Sequence, residues 1–340
     1  MKRTYLIMAA LSLAISGMSL GVDQPQLSLF DKMSHTEVLE MTMEVSFDSI
    51  AKNRKSVNKF EATINFVDAI GQSQSWNTEI QVRGKYRRSI CADIPPLKLK
   101  FKRNDLIAAG LSTSNDLKLV TQCVEDEDRA RETLMREYLV YKLYNQLTDY
   151  SYRVQLVKMT FVDRSTMVTK NQWAFLIEDT AQLRARVNAK KLGKKERFDV
   201  SQIRAKEEQT AALFQYLVGN HDWAIVGRKN IKLIREGEKI VVIPYDFDFA
   251  GIVHAPYAKA NSTLGIKSRF DRVYLGNESN NEELKETVEH FFSKKKAMME
   301  TVKDFDLLSR NAKRDMVNYM NHFFKQGKDV QIVTSLLSAR

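Results

Sequence analysis

Through most of residues 36–177, apolar and polar positions alternate with a period of two. In 36–47, Met41, Met43, Val45 and Phe47 fall on one side and Thr42, Glu44 and Ser46 on the other, the signature of a half-buried strand. The alternation recurs in 59–67 and 76–82, with Gly71 in the turn between them. After Pro95-Pro96, Leu97, Leu99 and Phe101 share one face and Lys98 and Lys100 the other. Residues 117–120, 152–162 and 172–177 read as further strands. One long helix interrupts the series. It opens on the acidic run 125–128, which suits a helix N-terminus, and extends to about Leu147 with a stripe of Ala130, Leu134, Glu137, Tyr141 and Tyr144.

Beyond Glu178 the period changes. Residues 199–217, 282–302, 310–325 and 329–337 carry helical apolar spacing. Between the first two lie β-branched runs at 231–234 and 240–243, joined around Glu236-Gly237 as a hairpin. Residues 182–197 are basic without a sustained apolar stripe, so they read as a solvated loop or helix face. Residues 250–277 are irregular, a length that is usually functional or mobile. The pattern predicts an α+β chain: an N-terminal antiparallel sheet lobe with one long helix (22–178) and a C-terminal, mainly helical lobe (179–340).

Composition adds compartment and partner. The chain has 340 residues, 44% hydrophobic and 28% charged, an ordinary globular balance. Residues 1–21 have the layout of a signal peptide: Lys2 and Arg3, an apolar stretch from Tyr5, then small residues. No later stretch is long and apolar enough to span a membrane, so the mature chain is expected to be exported (periplasmic, cell-surface or secreted) without a transmembrane span. The net charge is +11, which favours acidic partners. No zinc spacing, RNA-binding signature or helix-turn-helix pattern stands out, so nucleic acid is not expected. In an exported chain the only two cysteines, Cys91 and Cys123, are expected to pair.

The candidate chemistry centres on 216–251. The hairpin brings Asp222, Asn230 and Asp246 to one end. A carboxylate base, an amide and a later carboxylate form a phosphoryl-transfer set, the base acting on the acceptor hydroxyl and the other two holding a divalent metal. Capping and turn residues of an ordinary hairpin account for the same letters. Glu137 interrupts an apolar stripe and needs a partner. Lys98 or Lys100 is one choice; Arg136 or a tyrosine hydroxyl is another.

These pieces, in order, resemble the CotH kinase family of spore-coat-type atypical protein kinases. Val82-Arg83-Gly84 with Ser89 resembles its Arg-Gly-plus-serine turn, and 96–101 its Lys-bearing strand. Residues 126–143 resemble its early helix, and 174–178 its strand ending in Glu. Asn220-His221-Asp222, Asn230 and 244–248 resemble its catalytic segments. The resemblance implies a two-lobed protein-kinase-like fold that uses ATP with Mg²⁺ or Mn²⁺ to phosphorylate a protein, with an acidic or Ser-rich one as the expected class. It implies Asp222 as base, Asn230, Asp246 and Asp248 on the metal, and Lys98 or Lys100 on phosphate, with Glu137 as the lysine's partner. Arg83 and Ser89 would cover the phosphates and Glu178 would lie near the adenine. The eight-residue step from Asp222 to Asn230 is longer than in ordinary protein kinases, and there is no glycine-rich loop. The alternative is a catalytically silent envelope or secreted binding protein.

Overall fold

The computed structural model describes residues 26–91, 93–193, 196–277 and 281–326. The expected signal peptide and the helix expected at 329–337 lie outside the described residues. A short α1 (Leu29–Met33) leads into β1 (Val38–Val45), α2 (Phe47–Lys52), β2 (Phe60–Val67) and β3 (Ser73–Val82). Then come α3 (Arg87–Ile90), β4 (Leu97–Phe101), α4 (Arg103–Ala108), β5 (Asp116–Thr121), the long α5 (Glu127–Asn145), β6 (Val154–Asp163) and β7 (Thr169–Ile177). The remainder is α6 (Thr180–Arg186), β8 (Lys190–Lys191), α7 (Ala205–Val218), β9 (Ile231–Glu236), β10 (Lys239–Pro244), α8 (Asn281–Lys303) and α9 (Arg310–Gln326).

The strands do not form the antiparallel sheet lobe that the alternation and the family resemblance predicted. They close into a barrel in the order β1-β2-β3-β4-β5-β7-β6. Closure is made by β1, which pairs antiparallel with β2 on one edge and parallel with β6 on the other, Val38 opposite Leu156 through Val45 opposite Asp163. The fold is therefore a closed seven-strand mixed barrel with a C-terminal helical part, and the two-lobed kinase expectation is corrected. Alternation fixes which side chains share a face. The pairing of β1 with β6 joins segments more than a hundred residues apart and has no local signature.

The inward positions fill the barrel: Met41, Met43, Ile64, Ile80, Leu97, Leu99, Leu117, Leu119, Met159 and Leu176 belong to one apolar cluster. Closing the sheet buries that face and leaves the family of outward positions to pack elsewhere. Val120, Val154, Leu156, Phe175 and Ile177 do so against Tyr138, Tyr141 and Tyr144 of α5, and the same cluster runs into α7, β10, α8 and α9. Thus α5 lies on the barrel's outer wall and also contacts α8. The basic stretch 182–197, expected as a solvated loop or helix face, holds most of α6, which Asp179 caps, and the two residues of β8, which join β9.

Cys91 and Cys123 are paired, with Cα atoms 4.2 Å apart. The pair links the end of α3 to the segment between β5 and α5. Replacing both by alanine opens a sequence separation of 32 residues, and the expected loss is about 3 kcal/mol from the entropy regained by the unfolded chain. Urea unfolding checks this: the midpoint falls, with a slope equal to or steeper than the parent's because the freed unfolded chain exposes more surface, whereas an unmoved midpoint contradicts it.

Candidate metal and phosphate site

Helix α7 stops at Gly219, whose φ of 66° is left-handed and whose N–H bonds back to Tyr216. Asn220 follows, fully buried, with its amide donating to Gln215 Oε1 at 2.9 Å and its own Oδ1 accepting the Asp222 N–H at 3.0 Å. This turn delivers Asp222 to the open end of the β9–β10 hairpin. There Asn230 Nδ2 donates to the Asp222 carbonyl at 2.7 Å and to its carboxylate at 2.8 Å. The Lys229 ammonium pairs with the other carboxylate oxygen. Across the hairpin, the Tyr245 N–H bonds Asn230 O at 3.0 Å, which places Asp246 beside Asn230. The open end of the hairpin thus holds Asp222 against Asn230, with Asp246 next in chain to the Tyr245 that bonds Asn230.

Asn230 and Asp246 both have left-handed backbones, with φ 48° and 66°. Asn and Asp are the residues other than glycine that tolerate that region best, which suits them to the mouth of the ladder. The Asp246 N–H is anchored by the Tyr141 hydroxyl at 2.8 Å.

Asp246 belongs to a second group. Carboxylate oxygens of Glu137, Asp246 and Asp248 lie within 4.8 Å of one another, and this triad can hold a metal ion. Glu137 and Asp248 are buried, and Asp246 half-buried. Arg87 is buried with them, its Nε 2.9 Å from Asp248 and its guanidinium ion-paired to Glu137. Glu137 Oε1 has no hydrogen-bond partner. Burial pushes the Glu137 and Asp248 carboxyls above the usual range; Arg87 opposes this and the neighbouring carboxylates add to it. Three carboxylates facing one guanidinium leave a negative excess that a proton or a cation must offset. An orphaned, buried carboxylate oxygen in an all-oxygen donor set fits Mg²⁺ or Mn²⁺.

A cationic group adjoins it. Lys118 on β5 stands opposite Lys98 in the ladder. Its ammonium nitrogen is buried without a hydrogen-bond partner and lies 4.6 Å from the Tyr152 ring and 4.8 Å from the Tyr245 ring. The Lys232 ammonium lies 5.1 Å from the same Tyr245 ring. Burial, then repulsion from Arg83 and Lys232, lowers the Lys118 ammonium to about 7, with Asp246 pulling the other way. A groove of about 550 Å³ opens beside Lys232, lined also by Asp116, Asp179, Arg184 and Lys191.

Several expected residues stand elsewhere or do other work. Glu137 is paired with Arg87, not with Lys98 or Lys100: the Leu97–Phe101 strand turns both lysines outward, where Lys98 meets Asp116 at 2.9 Å and Lys100 stands opposite Glu79 and Asp116. Ser89 Oγ donates to Tyr86 O at 2.6 Å, which closes the α3 turn. Glu178 is fully buried, accepting from the Arg153 N–H, from Arg153 Nε at 3.0 Å and from Arg186 at 2.8 Å. It clamps the exit from β7. Two residues went unread in the sequence. Arg87 was lost in the basic run 83–88. Lys118 was legible in principle, because Leu117-Lys118-Leu119 repeats the alternation of the Lys98 strand.

No protein-family model and no curated protein matches the sequence, so any functional reading rests on these side chains.

Proposed function

We propose that this chain is an exported enzyme that transfers the γ-phosphoryl group of metal-bound ATP to a protein hydroxyl. The observation that carries the reading is the juxtaposition of two uncompensated sets. The carboxylates Glu137, Asp246 and Asp248 hold a negative excess. Lys118, with Arg83 and Lys232 around it, holds a buried positive one. A metal–polyphosphate carries both signs in the matching order. In this reading the triad takes Mg²⁺ or Mn²⁺, and the ion would neutralise charge on the transferring phosphoryl group. Lys118, Arg83 and Lys232 take the phosphate oxygens. Asp222, held by Asn230 and Lys229, faces the acceptor hydroxyl and takes its proton. The CotH-like order of residues supports the same assignment, and the net positive charge suits an acidic or Ser-rich acceptor. The paired cysteines and the amino-terminal sequence support export. Among the described residues no helix is long and apolar enough to cross a membrane.

Calorimetric titration of ATP with and without Mn²⁺ tests the proposal. Metal-dependent binding is expected; absence of binding at millimolar ATP refutes it. Binding also carries a proton signature. Lys118 is lowered to about 7 in the free protein, so at pH 8 most of it is neutral. A phosphate beside it raises that value again, and binding takes up a proton. Metal binding also displaces protons held by the raised Glu137 and Asp248 carboxyls, so the proton count at pH 8, read from enthalpies in buffers of different ionisation enthalpy, is compared between parent and variant: Lys118→Met should lower the uptake by up to about one proton. An unchanged proton count in Lys118→Met would remove Lys118 from the phosphate contact.

One observation favours a second reading. Arg87 already bridges Glu137 and Asp248, as a permanent substitute for a metal would. On that reading the chain is a silent binding protein whose basic surface holds an acidic partner, and neither metal nor ATP binds.

A further inference from the structure

Arg87 has no part in the proposed transfer, yet its side chain is 8% exposed between two carboxylates of the triad. The helix that carries it, α3, has four residues and no side-chain cap at its start. One turn of helix does not hold itself in water. Its fastenings are external. Tyr86 packs on Phe249 and Tyr257, with ring centroids 5.6 Å apart in each pair. At the other end Cys91 is the C-cap, its N–H bonded to Arg87 O at 2.9 Å, and it is disulfide-bonded to Cys123. Cys123 stands just before Asp126, the N-cap of α5, which is the helix that carries Glu137. One covalent link therefore joins the segment bearing the cation to the segment bearing the carboxylate it pairs with.

We propose that Arg87 is a built-in counter-cation of the metal site, positioned by the Cys91–Cys123 bridge, and that it limits how tightly the triad takes a divalent cation alone. The inference rests on the triad being the metal site, as read above, and not on phosphoryl transfer. A guanidinium within a few ångströms of a divalent ion repels it, strongly so where water is excluded. Removing the charge leaves three carboxylates for the ion and tightens binding. The bridge acts on the metal through Arg87. A dithiol that reduces it gives up two electrons and two protons, becomes a cyclic disulfide and leaves two cysteine thiols, and the C-terminal end of α3 then keeps only hydrogen bonds, those of the Arg54 guanidinium to Arg88 O and Cys91 O among them.

The test titrates Mn²⁺ without nucleotide into the protein and reads free Mn²⁺ by electron paramagnetic resonance. Arg87→Gln should bind roughly tenfold tighter or more, and Arg87→Lys, which keeps the charge, should stay close to the parent. The variant with both Cys91 and Cys123 replaced by alanine should bind several-fold tighter than the parent, and the same replacement in Arg87→Gln should add nothing. Equal or weaker binding by folded Arg87→Gln overturns the inference and leaves the metal site standing. A cysteine effect that persists in Arg87→Gln overturns the role of the bridge. If Arg87→Gln does not fold, the parent with and without dithiothreitol decides, and unchanged affinity on reduction overturns the proposal. No Mn²⁺ binding by the parent or by any variant overturns the metal site itself.

Discussion

Asp222→Ala should lower phosphoryl transfer by about 10²–10⁴-fold, the usual worth of a positioned general base, and leave metal-dependent ATP binding close to the parent's. Asp222 is bound to Asn230 and Lys229 rather than to the triad, so its loss falls on the acceptor side. Asp246→Ala should fail differently. It removes a member of the triad, and metal-dependent nucleotide binding should go with it. Single-turnover transfer from labelled ATP to a Ser-rich acceptor, run beside calorimetry, separates the two. The roles are misassigned if Asp222→Ala loses ATP binding as completely as Asp246→Ala. A parent protein that binds metal–ATP and transfers nothing to any acceptor or to itself sinks the enzyme and leaves the binding site.

Arg87→Ala should cost stability by about 3–5 kcal/mol at neutral pH, the usual loss when one partner of a buried ion pair is removed. The guanidinium serves two carboxylates, both buried. Without it, Glu137 and Asp248 face each other and Asp246 with no cation, and folding then favours their protonated forms. Both carboxyls are already raised above their unfolded values by burial. The variant's folded state therefore binds more protons than its unfolded state, and its stability falls as pH rises through that raised range. The gap between parent and variant should be small near pH 4.5 and wide by pH 8. Urea titrations at several pH values measure it. A loss below about 1 kcal/mol at pH 8, far under the cost of a broken buried pair, would show that the pair is not structural.

The hairpin was the most legible part of the site. Two β-branched runs around Gly237 fix its register, and its ends then have to lie together, which is why Asp222, Asn230 and Asp246 could be grouped from their order alone. Asp248 follows by its two-residue offset. Glu137 was legible as an anomaly, a carboxylate in an apolar stripe that required a partner. Its partner was not legible, because Arg87 lies fifty positions away on a four-residue helix that no periodicity announces. The lysine reading failed for a simpler reason. Alternation puts Lys98 and Lys100 on the face opposite Leu97, Leu99 and Phe101 but does not say what that face meets; Asp116 lies within reach of Lys98 and Glu137 does not enter that contact.

The sequence by itself determined the local elements. Period-two alternation set the strands and their buried faces, and the acidic start and apolar stripe set α5. The β-branched runs set the hairpin, and helical spacing set α7, α8 and α9. These follow from interactions between residues near in sequence, where side-chain direction is a matter of counting. Tertiary structure alone decided how the strands close and what faces what. The parallel register of β1 on β6 turned an expected antiparallel sheet into a closed mixed barrel, because strand pairing is made by backbone groups that carry no residue identity. The packing of the β9–β10 hairpin end against β5 put Lys118 beside Tyr245 and Lys232, and the packing of α3 put Arg87 between Glu137 and Asp248. Such contacts join distant segments through charge and burial, which exist only once the chain has excluded water from the space between them.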